Sequence, residues 1–387
     1  MILVDRPYIS DFLRKTIKEH SLPVADTPAA AEMGFTPGHP EAALQQLRSC
    51  ENPLIYTVSE NSIAWIAENL SGTPLPDWID IFKNKARFRE MIKPMYPDFF
   101  FREVLLRDLQ DLDLRDVPLP FIVKPGVGFF SMGVRKVTHR NEWVSTVDSI
   151  KSEIENTGNV YPAEVLNTAS FIIEEYADGD EFAVDAFFDR EGEPVILGIF
   201  NHIFSSGEDV SDRVYITSKN IVQNNLDEFT GFLRHIGRLS GVRNFPVHAE
   251  IRRDSSGRIT PIEINPMRFG GWCTTADISA IAWGFNPYVY YFSQKRPDWP
   301  EILKQSGEKL YSIIVLDNST GIEESRISSF NYDLLLSRFE NPLELRKTDY
   351  KQYAVFGFLF AKTSEENFSE LEWVLGSDLR EFITTAP

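Results

Sequence analysis

Three side chains with the chemistry of hard metal ligands stand close together in this chain. Glu250 lies in FPVHAEIRRD, and Glu263 and Asn265 lie in ITPIEINPMRFGG. Each string reads as a strand and the intervening RRDSSGR as a turn, so the two form a hairpin that brings Glu250 near the other pair. Glu263 and Asn265 are two residues apart and share one face of their strand. Two carboxylates and an amide oxygen suit Mg²⁺, a cation usually shared with substrate phosphates. Taken alone, the same residues also fit charged strand ends facing solvent.

Two further strings carry phosphate and nucleotide signals. FIVKPGVGFFSMGVRKV, residues 121–137, reads as a strand, a lysine, a glycine loop and a second strand. Gly126, Gly128 and Gly133 let the backbone approach a polyphosphate and aim N–H groups at it, with Lys124 as a fixed positive charge. The G-x-x-x-x-G-K-[ST] pattern occurs nowhere, and the loop leads into a strand rather than a helix, which excludes a dinucleotide fingerprint. An ordinary hairpin with a surface lysine is the plain alternative. IIEEYADGDEF, residues 172–182, reads as a strand reaching Glu174 and Glu175, a turn at Asp178–Gly179, and a return through Glu181. Such a bend presents backbone groups to an adenine edge, and Glu181 is placed to accept hydrogen bonds from a ribose. An acidic hairpin tip fits the same residues.

These segments need a scaffold, and the pattern along the chain supplies one. ILVD at 2–5, PVADT at 23–27 and LIYTV at 54–58 read as strands separated by helical stretches, which predicts a parallel α/β layer. SGTPLPD at 71–77 marks a boundary. One helix is expected from about Ile81 to Ile92, ended by Pro94 and Pro97. Strands follow at 99–106, 121–125, 170–176, 181–189 and 195–204, with helices around 143–155 and 225–240. Beyond Pro300, LYSIIVLD and YAVFGFLFAKT read as strands and SELEWVLGSDLREFI as a helix, giving an α+β appendage over 301–387.

Bulk composition bounds the function. The chain has 387 residues, 43% apolar and 25% charged, with a formal charge of −18. That is a soluble globular composition of two or three domains, and its acidity argues against nucleic-acid or anionic-membrane binding. Cys50 and Cys273 are too few and too far apart for a disulfide framework or a zinc site, and fit a reducing, cytoplasmic setting. The N-terminus is too short and polar for a signal peptide, and no apolar run of about eighteen residues exists to span a membrane.

In order and spacing, VKPGVGFFSMGV, EEYADGDEF, HAEI and IEINPMRFGG resemble the ATP-grasp superfamily over roughly residues 83–290. The resemblance implies an ATP-grasp α/β fold. Its parts are an N-terminal parallel α/β domain over 1–82, an ATP-grasp domain over 83–300 and the C-terminal α+β appendage. Two lobes clamp ATP, a lid lobe over 83–175 and a metal-binding lobe over 176–300. It also implies roles. Lys124, and Lys85 in FKNKARFRE, contact ATP phosphates, and Ser131 and Gly133 lie in the covering loop. Glu174, Tyr176 and Ala177 form the adenine hinge, Glu181 binds ribose, and Glu250, Glu263 and Asn265 hold Mg²⁺, with Mn²⁺ as a substitute. Lys124 and Arg268 are the expected catalytic cations. Two departures stand out. Met267 displaces the arginine usual near Asn-Pro, so Arg268 comes third after Asn265. Phe129 and Phe130 occupy loop positions where small residues are common.

Members of this superfamily mostly join a carboxylate to an amine through an acylphosphate, releasing ADP and phosphate. The resemblance therefore implies a carbon–nitrogen ligase acting on small carboxylates and amines, amino acids among them. The C-terminal appendage is read either as a cover for the acceptor site or as the interface of a homodimer. Rival readings are an ATP-grasp phosphotransferase, a non-catalytic ATP-binding regulatory protein, and a carboxylase using bicarbonate. Arg213 is read either as a surface arginine or as a clamp for a substrate carboxylate. His202 and His248 are read as structural histidines or bases. Trp272 is read as a wall of the acceptor pocket or as packing.

Overall fold

The structure is a computed structural model that describes residues 1–36, 40–127, 134–157, 170–206 and 212–385. Its N-terminal layer begins with β1 (Ile2–Leu3), α1 (Asp11–Glu19), α2 (Pro28–Glu32), α3 (Pro40–Ser49), β2 (Tyr56–Thr57) and α4 (Ile63–Asn69). The apolar run at the N-terminus is buried, and β1 pairs in parallel with β2, Ile2 opposite Tyr56. The strand expected at 23–27 is reduced to a single parallel bridge from Val24 to Ile2. In α1 the Ser10 side chain caps the Leu13 N–H, and the buried Leu13, Thr16 and Ile17 recur at helical spacing.

The single helix expected over 81–92 is two helices, α5 (Leu75–Lys83) and α6 (Lys85–Ile92). Asn84 breaks them with an extended backbone (φ −86°, ψ 106°), and its side chain accepts from the Arg87 N–H to cap α6. Asparagine competes poorly inside a helix and well at its N-cap, which accounts for the break. Lys85 thereby becomes the first residue of α6. Its N–H donates to the Gly126 carbonyl at 2.8 Å, tying the helix to the base of the glycine loop.

The first lobe is a four-stranded antiparallel sheet ordered β3 (Phe101–Leu105), β6 (Ser170–Glu175), β4 (Phe121–Pro125) and β5 (Arg135–Val137). α7 (Trp143–Thr157) covers one face, burying Trp143, Val147 and Ile150 against Phe121, Val123 and Ile173. β6 is paired on both sides, to β3 and to β4, so its backbone is engaged along its length.

The second lobe is built on one eight-stranded sheet. Its strands are β7 (Asp180–Phe188), β8 (Pro194–Ile203), β9 (Val214–Thr217), β10 (Phe245–Arg253), β11 (Ile259–Pro266), β12 (Leu310–Asp317), β14 (Pro342–Lys347) and β15 (Val355–Thr363), in the order β11-β10-β7-β8-β9-β12-β15-β14. α8 (Lys219–Ser240) packs Phe229, Leu233 and Ile236 toward this sheet, and α9 (Thr274–Trp283), which follows β11 in the chain, packs against β8 and β12. The strands of the C-terminal segment thus continue the sheet that carries the Glu250 hairpin, joined through β9 and β12. They also have a core of their own, around Leu316, Phe330, Phe356, Leu359 and Leu371. The helix expected over 369–383 ends at Gly376, and Leu379 then takes a left-handed conformation (φ 61°) leading into β16 (Ile383–Thr385), which pairs with β13 (Ile327–Phe330).

Arg213 is neither exposed nor aimed at a substrate. Its guanidinium donates to Asp317 at 2.8 and 2.9 Å, to Ser319 Oγ, and to the carbonyls of Val374 and Ser377. It stitches the C-terminal segment to β9, and both readings made of it from sequence are corrected.

Replacing Asn84 by Ala removes the α6 cap and should lower unfolding stability by about 1 kcal/mol. Urea denaturation of the variant beside the natural chain measures that loss.

Candidate active site

The hairpin of β10 and β11 sets Glu250 directly opposite Glu263, and His248 opposite Asn265. Its turn is closed by Asp254, whose Oδ1 accepts from the N–H groups of Ser256 and Arg258, with Gly257 at φ +87°. The register then slips by one. Ile251 pairs with Pro261 and Glu250 with Glu263, which leaves Ile262 as the extra residue of a β-bulge. The free Ile262 carbonyl accepts from Lys124 Nζ at 3.3 Å, so the bulge connects the metal-type hairpin to the lysine of the other lobe. Pro261 is tolerated because β11 is an edge strand.

Like charges placed opposite each other on adjacent strands repel, and here the repulsion is met locally. The Asn265 amide N–H₂ lies 3.0 Å from Glu263 Oε1 and 3.3 Å from Glu250 Oε1. Lys85 Nζ is 3.1 Å from Glu263 Oε2. Burial would raise the pKa of Glu263, but Lys85 and Lys124 more than offset it and hold the carboxyl down at about 2. Glu250 moves the other way. Burial, together with the charges of Glu263, Asp212 and Glu181, pushes it well above the usual carboxylate range. One carboxylate is therefore balanced by lysines, and the other stays raised although Arg268 pulls it down. That is the electrostatic signature of a place for an added cation. The donors fit the hard cation Mg²⁺: two carboxylates and an amide. Among the described residues no cluster of three His, Cys, Asp or Glu side chains is arranged to hold a metal ion.

Behind Glu250, His248 places Nε2 3.8 Å from Glu250 Oε1 and Nδ1 2.7 Å from Asp185 Oδ1. Asp185 is buried, and the same oxygen accepts from the Gly270 N–H at 3.1 Å. A carboxylate that fixes the far nitrogen of a histidine orients the ring and its tautomer.

Lys124 points from β4 into the junction of the lobes. Its Nζ lies 2.6 Å from Glu174 Oε1, and Arg89 Nε lies 2.7 Å from Glu174 Oε2, all three side chains being almost fully buried. Burial raises Glu174, but Arg89 and Lys124 dominate and hold it at about 2. Burial, reinforced by Lys85 and Arg89, pushes Lys124 down from the usual lysine range, against the pull of Glu174. Glu174 was expected at the adenine hinge. Its side chain instead turns inward to Lys124 and Arg89, and its strand is paired on both sides.

The turn between β6 and β7 carries the remaining nucleotide candidates. Gly179 sits at φ +110°, where a Cβ would come 2.2 Å from the Arg253 carbonyl, so only glycine closes this turn. The Tyr176 N–H donates to the Pro120 carbonyl, and the Ala177 carbonyl accepts from Arg252 at 2.9 Å. Lys136 lies 3.8 Å over the Tyr176 ring. Glu181 accepts from Arg252 Nε at 2.9 Å and meets His202 Nδ1 at 2.9 Å. His202 is buried and stacks on Tyr215, with ring centroids 4.1 Å apart. Ser131 and Gly133, with Phe129 and Phe130, lie outside the described residues.

After β11 the chain turns sharply. Met267 adopts φ +68°, held by its N–H on the Pro246 carbonyl and by the Thr57 N–H on its own carbonyl, both at 2.8 Å. This left-handed residue re-aims the backbone. Arg268 then reaches Glu60 Oε1 at 3.0 Å and acts on Glu250 electrostatically, despite standing third after Asn265. Trp272 packs between Tyr8, Tyr353 and Phe358, drawn from both ends of the chain.

Sequence reasoning missed several partners. Arg89 lies one helical turn after Lys85 in α6, a spacing that marks a shared face. Asp185 was visible as a lone acid in the apolar run FAVDAFF. Glu60 and Lys83 carried no local signal.

Residues 117–276 match a family model described as an ATP-grasp domain. No curated protein matches the chain by sequence. Among solved structures it resembles an L-amino acid ligase from Bacillus licheniformis at 18% identity and TM-score 0.70, covering 100% of this chain and 98% of that one. It also resembles biotin carboxylase from Campylobacter jejuni at 11% identity and TM-score 0.62, over 100% and 91% of the two chains. A third match is the biotin carboxylase domain of 2-oxoglutarate carboxylase from Hydrogenobacter thermophilus, a complex with MgADP and bicarbonate. It shows 12% identity and TM-score 0.60 over 100% and 90%. The chain carries an ATP-grasp domain and has the ATP-grasp fold along its whole length. Among the described residues no helix is long and apolar enough to cross a membrane.

Glu174→Gln should cost about 3–5 kcal/mol, because it strands Arg89 and Lys124 as buried cations. The natural Glu174 ionises at about 2 when folded, against an ordinary 4.5. Its stabilisation is thus complete above pH 4.5 and lost as pH falls toward 2. Denaturation midpoints measured across that range should show a shallower acid decline in the variant.

Proposed function

We propose that this chain is an ATP-dependent carboxylate–amine ligase that forms an amide or peptide bond through an acylphosphate and releases ADP and phosphate. One observation carries the reading: Lys124 of β4 and Lys85 of α6 converge on the β10–β11 hairpin that carries Glu250, Glu263 and Asn265. The full-length resemblance to an L-amino acid ligase supports amino acids as the first substrates to try.

The residues divide the work as follows. Glu250, Glu263 and Asn265 would hold Mg²⁺, which neutralises the triphosphate and polarises its transferred phosphoryl group. Lys124 and Lys85 bind phosphate oxygens, and Lys85 is freed for this once Glu263 takes another cation. Tyr176 and Ala177 position the nucleobase through the inter-lobe turn, and Glu181 holds the ribose. A substrate carboxylate oxygen attacks the γ-phosphorus, the bridge to the β-phosphate breaks, and ADP leaves with those electrons. Arg268 stabilises the charge that develops on the transferred group. The amine nitrogen then attacks the acyl carbon, the carbon–oxygen bond to phosphate breaks, and nitrogen loses a proton. Each step needs fixed cations and orientation rather than a covalent nucleophile on the protein.

The test is release of ADP, AMP and phosphate from Mg·ATP across a matrix of carboxylates and amines, amino acids first, with bicarbonate as one acid. ADP and phosphate formed only with a particular acid–amine pair is the expected result. AMP overturns the acylphosphate route. A stable phosphorylated product without free phosphate replaces the ligase by a phosphotransferase. Within the productive pair, Glu263→Gln should reduce ADP formation at least 100-fold while leaving the circular dichroism spectrum unchanged; full activity there would remove Glu263 from the site.

A further inference from the structure

Glu60 follows β2 in the N-terminal layer, yet its carboxylate reaches the second lobe. Arg268 Nη2 lies 3.0 Å from Oε1, and Lys83 Nζ binds Oε2 closely. Each oxygen thus holds one cation, and the three side chains come from three separate elements: the turn after β2, the end of α5 and the segment after β11. The location is specific. Arg268 stands three residues after Asn265, and Lys83 two residues before Lys85, whose ammonium lies 3.1 Å from Glu263. The two cations on Glu60 therefore come from segments that adjoin the metal-type set in the chain. The Glu60 side chain is 33% exposed, while those of Lys83 and Arg268 are 18% and 14% exposed. The carboxylate is thus the most open of the three side chains, and solvent reaches it between two mostly enclosed cations. Burial raises its pKa, but Arg268 and Lys83 bring it below the ordinary range, so the group between them is an anion at neutral pH.

We propose that Lys83 and Arg268 form the binding site for the carboxylate of the acid substrate, and that Glu60 is an internal carboxylate occupying that site until the substrate displaces it. The proposal rests on the ligase reading for the identity of its ligand. Two cations on opposite sides of one carboxylate neutralise the group that must approach a triphosphate. An internal occupant keeps both cations paired when no substrate is present. Substrate binding then exchanges one carboxylate for another and releases the N-terminal layer from Arg268.

The test uses acetate and, separately, inorganic phosphate as probes, titrated by calorimetry without nucleotide into the full chain. Glu60→Gln keeps the shape and removes the competing charge, and it should bind acetate at least tenfold more tightly than the natural chain. The double variants with Lys83→Gln or Arg268→Gln should lose that gain. Unchanged acetate affinity in a folded Glu60→Gln variant, or a gain that survives both double variants, overturns the proposal. A gain for phosphate alone also overturns it, since the site would then read phosphoryl groups. Should Glu60→Gln fail to fold, Glu60→Asp, with its shorter reach, is expected to move acetate affinity in the same direction; no gain there overturns the proposal equally. Because the titration needs no turnover, an acetate gain beside a silent ADP matrix would leave the anion site standing and remove the ligase reading.

Discussion

The structure depends on the placement of two carboxylates, Glu250 and Glu263, across one pair of strands. Such a pair is unfavourable by itself, because like charges sit directly opposite each other on adjacent strands. The fold answers asymmetrically. Glu263 is given Lys85, Lys124 and the shorter contact from the Asn265 amide, whereas Glu250 has the longer Asn265 contact, the pull of Arg268 and a histidine whose other nitrogen is committed to Asp185. Spreading the cations evenly would settle the pair and leave no reason for a further cation to bind. On the ligase reading, a metal-bound polyphosphate, which brings both signs together, would satisfy both carboxylates and lysines at once.

Delivering those cations explains features that otherwise look unrelated. The bulge at Ile262 exposes a carbonyl to Lys124. The break at Asn84 makes Lys85 the start of a helix, so its side chain leaves toward Glu263 while its N–H holds the glycine-loop base at Gly126. Glu174 fixes Lys124 from the opposite side, with Arg89 of the same α6 completing the pair. One short helix therefore links the glycine loop, the buried ion triad and the metal-type hairpin. Movement of the first lobe against the second would be felt by all three.

Much of this was legible in the sequence because it is local. Residues two apart on a strand share a face, so Glu263 and Asn265 had to lie together, and the D-S-S-G turn had to return Glu250 beside them. The lysine at the end of FIVKP and the D-G turn before Glu181 were local in the same way. What was lost depended on contacts distant in sequence or on single-residue irregularities. Glu174 looked like a hinge acid because the pattern places it near the turn, yet only the partners Arg89 and Lys124 show that it faces inward. Arg213 looked exposed among polar neighbours, and its partners Asp317, Val374 and Ser377 lie more than one hundred residues away. No hydrophobic periodicity reports a one-residue bulge or a left-handed Met267.

The C-terminal segment gains a physical role from the same reasoning. Met267, Trp272 and Cys273 all take positive φ without being glycine, so the stretch around Arg268 is held in a conformation it would not keep unaided. Part of the restraint comes from Asp185 and Thr275 on the Gly270 N–H, where a Cβ at residue 270 would come 2.3 Å from Thr275 Oγ1. The rest comes from β14. Arg346 is buried over the Phe360 ring, meets Asp277 at 2.7 Å and points toward the Trp272 and Cys273 carbonyls. Burial pushes the Asp277 carboxyl up to about 6 even with Arg346 beside it, so this acid depends on a cation that only the C-terminal strands supply. The segment after residue 300 is therefore tied electrostatically to the turn that aims Arg268, and it braces the candidate site from behind.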